Sequence, residues 1–227
     1  MHCIEDESIM PPARSEPLVA AVVLFFVLLL VTGVGLVVAV EGEGVLSPEG
    51  SQRPFRAAHC DAIDLTDSVT LEAWIKPRTM DSHGGRIIDK GTAGTQSGYM
   101  LDTFPGNSLR MIVRTRAYEG VVSFPAKLAT DRWSHVAGVF NAADGAMTLY
   151  VNGREVATRT FEPNAKQVRN QHPLCVGSDH TGGSRFLGKM DRVTVYERAL
   201  SGAEIAKLAL PANHSGSPPD AVDSNCD

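Results

Sequence analysis

Two apolar runs and the polar links around them, residues 133–153, constrain the fold of this chain more than any other stretch. Trp133-Ser134-His135-Val136-Ala137-Gly138-Val139-Phe140 is rich in β-branched and aromatic residues, which suit a pleated, half-buried surface. Asn141 to Gly145 supplies Asn, Asp and Gly, the residues that tolerate turn geometry. Ala146 to Val151 then runs into Asn152-Gly153. Asn-Gly between two strand-like runs is the strongest short-range hairpin signal, because a type I′ turn needs positive φ at both central residues. Arg154 to Thr158 is the returning strand. This antiparallel meander predicts an all-β chain.

The rest of the middle of the chain agrees. Val69 to Lys76 alternates, with Val69, Leu71, Ala73 and Ile75 on one face. Further short strands are expected at Arg86–Asp89, Tyr99–Asp102, Leu109–Thr115, Val121–Phe124, Leu174–Gly177 and Phe186–Tyr196, with Gly, Asp and Asn between them. Short strands at this spacing predict a two-sheet antiparallel sandwich. One short helix is expected near the end. Ser201-Gly202-Ala203-Glu204 is a capping box, Ile205, Leu208 and Ala209 form an apolar face, and Pro211 stops the run.

Leu18 to Val40 contains no charged residue. As a helix it would span about 34 Å, against a hydrocarbon core of about 30 Å, so it predicts a transmembrane helix or signal anchor. It is longer than the apolar region of a secretory signal, which is about 7–15 residues. Val37-Val38-Ala39 loosely resembles a cleavage site, which leaves secretion after cleavage as the alternative. Arg14 lies closer to the span than Arg53 and Arg56 do. That proximity puts residues 1–17 in the cytoplasm and the rest outside. Residues 41–56 read as a spacer or a first edge strand, 57–210 as the folded domain, and 211–227 as a polar, disordered tail.

Composition closes several other routes. A net charge of −5 without a basic patch argues against nucleic-acid binding. No CxxC pair, HExxH helix, P-loop or dinucleotide fingerprint occurs. Four cysteines are too few and too scattered for a disulfide-built miniprotein. Asn213-His214-Ser215 is a glycosylation sequon.

Five segments in order carry a family resemblance: Val69 to Pro77, Ile88-Asp89-Lys90-Gly91, Trp133 to Ala137, Leu149 to Gly153, and Phe186 to Ser201. The chain resembles the laminin-G-like (LamG-like), concanavalin A-like jelly-roll modules, which look related to pentraxins. The resemblance implies a jelly roll closed by the last long strand and the short helix. Trp74, Trp133, Tyr150 and His135 then read as architectural residues. The resemblance also implies rim calcium, with Asp179 in the loop Gly177 to Gly183 and Asp191 on the closing strand as candidate ligands. The competing reading is a turn residue for Asp179 and an amide cap for Asp191.

Glycan binding is expected of such a sandwich. The candidate rim segments are Thr79 to Gly85, Gly91 to Ser97, Phe104 to Asn107 and Ser178 to Ser184. Glycosidases of this fold need paired carboxylates, usually an E-x-D-x-x-E or E-x-D-x-E run, and the strand Val69 to Lys76 has only Glu72. The expected role is therefore non-catalytic binding of carbohydrate or a surface protein. The alternative is an envelope assembly protein that makes only protein contacts. Cys60 and Cys175 pair as a disulfide or remain buried thiols. Cys226 is an alternative partner, and Cys3 lies before the apolar run.

Overall fold

A computed structural model of the chain describes residues 26–32, 35–41, 55–78, 83–91 and 97–211. The strands are β1 (Phe26–Thr32), β2 (Gly35–Glu41), β3 (Phe55–Ala57), β4 (Val69–Pro77), β5 (Gly85–Asp89), β6 (Tyr99–Thr103) and β7 (Leu109–Arg114). They continue as β8 (Glu119–Phe124), β9 (Ser134–Asn141), β10 (Ala146–Val151), β11 (Arg154–Thr160), β12 (Leu174–Val176) and β13 (Gly188–Tyr196), followed by helix α1 (Gly202–Leu208). They form a seven-stranded sheet, β1-β2-β13-β4-β9-β10-β11, and a six-stranded sheet, β3-β12-β5-β6-β7-β8. All the pairings between these strands are antiparallel.

The meander sits where its residues place it. β9 pairs with β10 and β10 with β11, and Asn152 and Gly153 have φ of 49° and 75°, as the type I′ turn requires. The predicted face of β4 is buried: Leu71, Ala73 and Ile75 join Val136 and Phe140 of β9 and Met147 and Leu149 of β10. From the other sheet come Ile87, Ile88, Leu101, Leu109 and Met111. The sheets approach closely at Gly138, where a Cβ would lie 2.7 Å from Met111 Sδ. A second apolar cluster lies on the other face of β9. There Ala137 and Val139 are covered by Leu200 and by Ile205 of α1. The capping box forms as predicted, with Ser201 and Glu204 bonded reciprocally.

Two open strand edges, β8 and β11, are tied together by aromatic groups. Tyr118 stacks on Phe161 with centroids 5.0 Å apart, and the Arg159 guanidinium lies 4.8 Å from the Phe161 ring. Arg159 also bonds the Val121 carbonyl.

The apolar run departs from expectation. Of Leu18 to Val40, the described parts are strands, not helix: β1 pairs with β2, and β2 pairs with β13. A continuous apolar run suits a buried strand as well as a helix, and periodicity does not separate them. This run is Val-rich and is divided by Gly33 and Gly35, which favours two strands. Among the described residues, no helix is long and apolar enough to cross a membrane. Residues 1–25, 33–34, 42–54, 79–82, 92–96 and 212–227 lie outside the described residues, and with them the expected tail, most of the spacer, Cys3, Cys226 and the sequon. The last long strand begins at Gly188 rather than Phe186, because Phe186 and Leu187 are spent on loop contacts: Phe186 N bonds Gly177 O and Arg78 N bonds Leu187 O.

Candidate functional site

One face of the six-stranded sheet collects the charged residues that the core rejects. Side chains alternate across a strand, so the neighbours of core residues Leu101, Leu109 and Met111 point the other way. Register then assembles two rows. Arg56, Cys175, Asp89, Met100 and Ile112 lie opposite one another across β3, β12, β5, β6 and β7. Arg86, Asp102 and Arg110 do the same across β5, β6 and β7.

The second row is a chain of ion pairs. Arg110 grips Asp102 with two bonds, Nε to Oδ1 at 3.0 Å and Nη2 to Oδ2 at 2.7 Å. Arg86 Nη1 donates to the same Asp102 Oδ2. Arg86 Nε stands 3.0 Å from Asp89 Oδ2, an ion-pair distance without hydrogen-bond alignment. Asp89 Oδ1 accepts the Gly91 amide at 2.8 Å. Burial raises the Asp89 carboxyl to about 7. The Gly91 amide and Arg86 pull it down, and the carboxylates of Asp179 and Asp102 push it up. Arg110 opens this network to solvent: its guanidinium lies 4.1 Å from the ring of Phe104, which is 38% exposed.

Lys90, next in sequence, is fully buried and acts as a pin. Its Nζ donates to Asn170 Oδ1 at 2.9 Å and to Asn170 O at 3.1 Å, and Asn170 Nδ2 returns a bond to Lys90 O. Burial holds the Lys90 amine below its ordinary range. The motif Ile88-Asp89-Lys90-Gly91 is thus half core, half site: the isoleucine fills the sandwich, Asp89 joins the ion pairs and Lys90 fastens the segment before β12.

The loop after β12 borders this face. Ser184 O accepts the Arg86 amide, and Arg56 donates to His180 O. The rings of His172 and His180 lie 4.6 Å apart, flanking β12. Asp179 turns inward on its own loop. Its Oδ1 accepts Thr181 N at 2.9 Å, Thr181 Oγ1 at 2.7 Å and Gly183 N at 2.8 Å. Burial raises this carboxyl, but the bonds from Thr181, Gly183 and Ser184 outweigh it and hold it below its usual range.

Three expectations meet this geometry. Asp179 and Asp191 stand apart: Asp179 accepts bonds as an Asx-type turn residue, while Asp191 sits on β13 in the other sheet, opposite Trp74. Among the described residues no group of three or more His, Cys, Asp or Glu could hold a metal. Calcium needs six to eight oxygens, and Asp179 Oδ1 already serves three donors. The disulfide is likewise absent. Cys175 is a buried thiol in the centre of the charged face, and Cys60 is an exposed thiol beside the 3-10 turn Asp61–Ile63. Two of the four rim segments, Phe104 to Asn107 and Ser178 to Ser184, do border the network, whereas residues 79–82 and 92–96 of the others lie outside the described residues. Arg86, Asp102 and Arg110 carried no motif. Their only signal was polar residues alternating with apolar ones on central strands.

His135 is buried, as its apolar strand implied, but only half satisfied: Nε2 meets Glu72 while the buried Nδ1 has no hydrogen-bond partner among the described residues. It is fully buried on the outer face of the seven-stranded sheet, with Nε2 2.7 Å from Glu72 Oε2 and the Trp74 ring 5.6 Å away, edge-on. Tyr196 donates to Glu72 Oε1 at 3.3 Å. Burial, then Glu72, pushes the Tyr196 phenol up.

The sequence profile of the concanavalin A-like lectin/glucanases superfamily matches residues 50–206. The chain belongs to that superfamily, as a two-sheet antiparallel sandwich with one short C-terminal helix. It is similar to human Pentraxin-4, 24% identical over 180 residues that cover 74% of this chain and 37% of the relative. It is also similar to mouse pentraxin-related protein PTX3, 30% identical over 94 residues, 35% of this chain and 25% of the relative. The chain therefore spans well under half the length of either. Among solved structures, the CBM40 module of the Ruminococcus gnavus IT-sialidase, bound to α2,3-sialyllactose, superposes with a TM-score of 0.57 at 16% identity, covering 76% of this chain and 98% of that one. Domain 4 of the arabinanase AbnA from Geobacillus stearothermophilus, in complex with arabinotriose, gives 0.54 at 19% identity, covering 77% and 81%. These likenesses concern the fold.

Proposed function

We propose that this chain is a non-catalytic binding module for carbohydrate or a surface protein, presented outside the cell from a membrane. The observation that carries the reading is the Arg86–Asp89–Asp102–Arg110 face, with Phe104 exposed at its rim. An exposed aromatic beside fixed polar groups is what a sugar ring needs, stacking on one side and hydrogen bonds on the other. Several neighbours of this fold bear names or ligands of carbohydrate binding, which supports the same reading. The run of paired carboxylates that glycosidases of this fold carry on one strand has no counterpart on Val69 to Lys76, where Glu72 stands alone.

Membrane attachment through residues 18–40 belongs to this proposal as an alternative state of that run; its support is the absence of charge, and it requires β1 and β2 to give up their pairing with β13. Alkaline extraction of membranes from expressing cells, with protease added from outside, tests it. Resistance to extraction with cleavage from outside supports the placement, and release at high pH sinks it. A glycan array probed with the full-length protein, with Phe104→Ala beside it, tests the binding. Glycan signal lost in the variant supports the site. An array without signal, together with a cross-linked protein partner, would move the reading to an assembly role.

A further inference from the structure

The charged row has a wet end and a dry end, and their chemistry differs. Arg110 is at the wet end. Its Nε and Nη2 are committed to Asp102, and Nη1 has no protein hydrogen bond among the described residues. The Phe104 ring beneath it supplies an apolar floor. Arg86 and Asp89 are at the dry end, 6% and 1% exposed, with Arg86 Nε and Asp89 Oδ2 both lacking an aligned hydrogen-bond partner.

Charge accounting decides what this face prefers. Two guanidiniums stay charged at any accessible pH. Asp102 accepts three guanidinium N–H bonds and counts as the row's fixed negative charge. Asp89 is the weak member. The groups facing it are Arg86 on its own strand, Asp102 on β6, Cys175 on β12 and Asp179 in the following loop. The row is neutral when Asp89 is ionised and carries one positive charge when Asp89 takes a proton. Arg56 and Arg185 border it, against Asp179. The face is thus short of negative charge, and its deficit grows with each proton it accepts.

We infer that this face takes a carboxylate-bearing oligosaccharide, its acid group on Arg110 and a sugar ring on Phe104, held by guanidinium charge rather than calcium and tightened when Asp89 is protonated. This rests on the carbohydrate-binding reading and narrows it to acidic glycans. Burial raises the Asp89 carboxyl to about 7, so the switch falls near neutrality. The sign follows from linkage: an anion favours the protonated row, so affinity rises as pH falls through that value, and bound ligand must raise the Asp89 carboxyl in return.

Calorimetric titration of the full-length protein with α2,3-sialyllactose, trigalacturonate and lactose, at pH 6 and pH 8, with EDTA or millimolar calcium, tests the inference. Both acidic probes should bind at least about tenfold more tightly than lactose. Their affinity should rise about three- to tenfold from pH 8 to pH 6 and ignore EDTA. Arg110→Gln should abolish the preference for acid. Asp89→Asn should give the pH 6 affinity at both pH values. If that variant misfolds, carboxyl NMR of the unaltered protein replaces it, and the Asp89 titration should move upward with sialyllactose present. Equal affinity for lactose and sialyllactose overturns this inference and leaves the carbohydrate reading standing. Binding abolished by EDTA also overturns it. Failure of all three probes, with an acidic peptide bound instead, sinks both.

Discussion

Asp89 makes the protein's stability depend on pH in an uncommon direction. Its carboxyl is raised to about 7 by burial, whereas an unfolded aspartate titrates near 3.9. The folded state binds the extra proton between those values, so stability falls as pH rises from about 4 to about 7. Asp89→Asn removes the penalty. Urea unfolding should find the two proteins similar near pH 4 and the variant more stable at pH 8, by on the order of 2–4 kcal/mol. Equal stability at both pH values would mean that Asp89 stays ionised in the fold. Glu72 matters through its hydrogen bonds. Glu72→Ala strands His135 Nε2 and the Tyr196 hydroxyl in a buried position. The expected loss is about 2–4 kcal/mol in the same assay, against a few tenths for an exposed carboxylate. His135 was readable as architectural from its apolar strand. Its partner was not, because Glu72 and His135 are diagonal neighbours across β4 and β9, a relation set by register.

Elements were legible where a local rule decides them. The Asn152-Gly153 turn and the Ser201–Glu204 cap each rest on a few consecutive residues, and both formed. Ser201→Ala should cost about 1 kcal/mol and loosen α1 from Ala137 and Val139, read as faster amide exchange in that helix alone. Glu204 adds a pH signature. Its bond from Arg198, then those from Ser201, hold its carboxyl down to about 2. The cap's contribution is complete above the unfolded value near 4.5 and disappears as pH falls through about 2. The Glu204 side chain is 40% exposed, so solvent screening keeps that contribution small. The run at 18–40 escaped local rules, because Val and Leu without charge satisfy a membrane helix and an interior strand equally well. Loop chemistry was half legible. The turn-forming residues around Asp179 were readable from the sequence, but the three bonds that its Oδ1 accepts were not.

On the scale of the whole molecule, two sheets are fastened at one margin by Tyr118, Phe161 and Arg159. Phe161→Ala should lower the urea midpoint by the equivalent of about 1–2 kcal/mol, since the ring is only partly buried. It should leave glycan affinity unchanged, because the tie lies at the β8–β11 edges, away from the Arg86–Arg110 row. Millimolar calcium should not shift the thermal midpoint of the full-length protein; a rise of several degrees would show a bound cation. The sandwich itself was readable because alternation repeats on every strand. The charged face was not. It joins residues 86, 102 and 110 from three strands, and no window of sequence contains that adjacency.

The loop between Gly177 and Phe186 is closed at its neck: Phe186 N bonds Gly177 O, Gly177 N bonds Ile87 O, and Arg86 N bonds Ser184 O. Strand β5 therefore holds both ends of the excursion, and residues 178–183 contribute nothing to the sandwich core. Such a segment behaves as an exchangeable cassette. Lengthening it adds only loop-closure entropy, which grows slowly with length. Rewriting those six positions should alter the border of the charged face while leaving the scaffold folded.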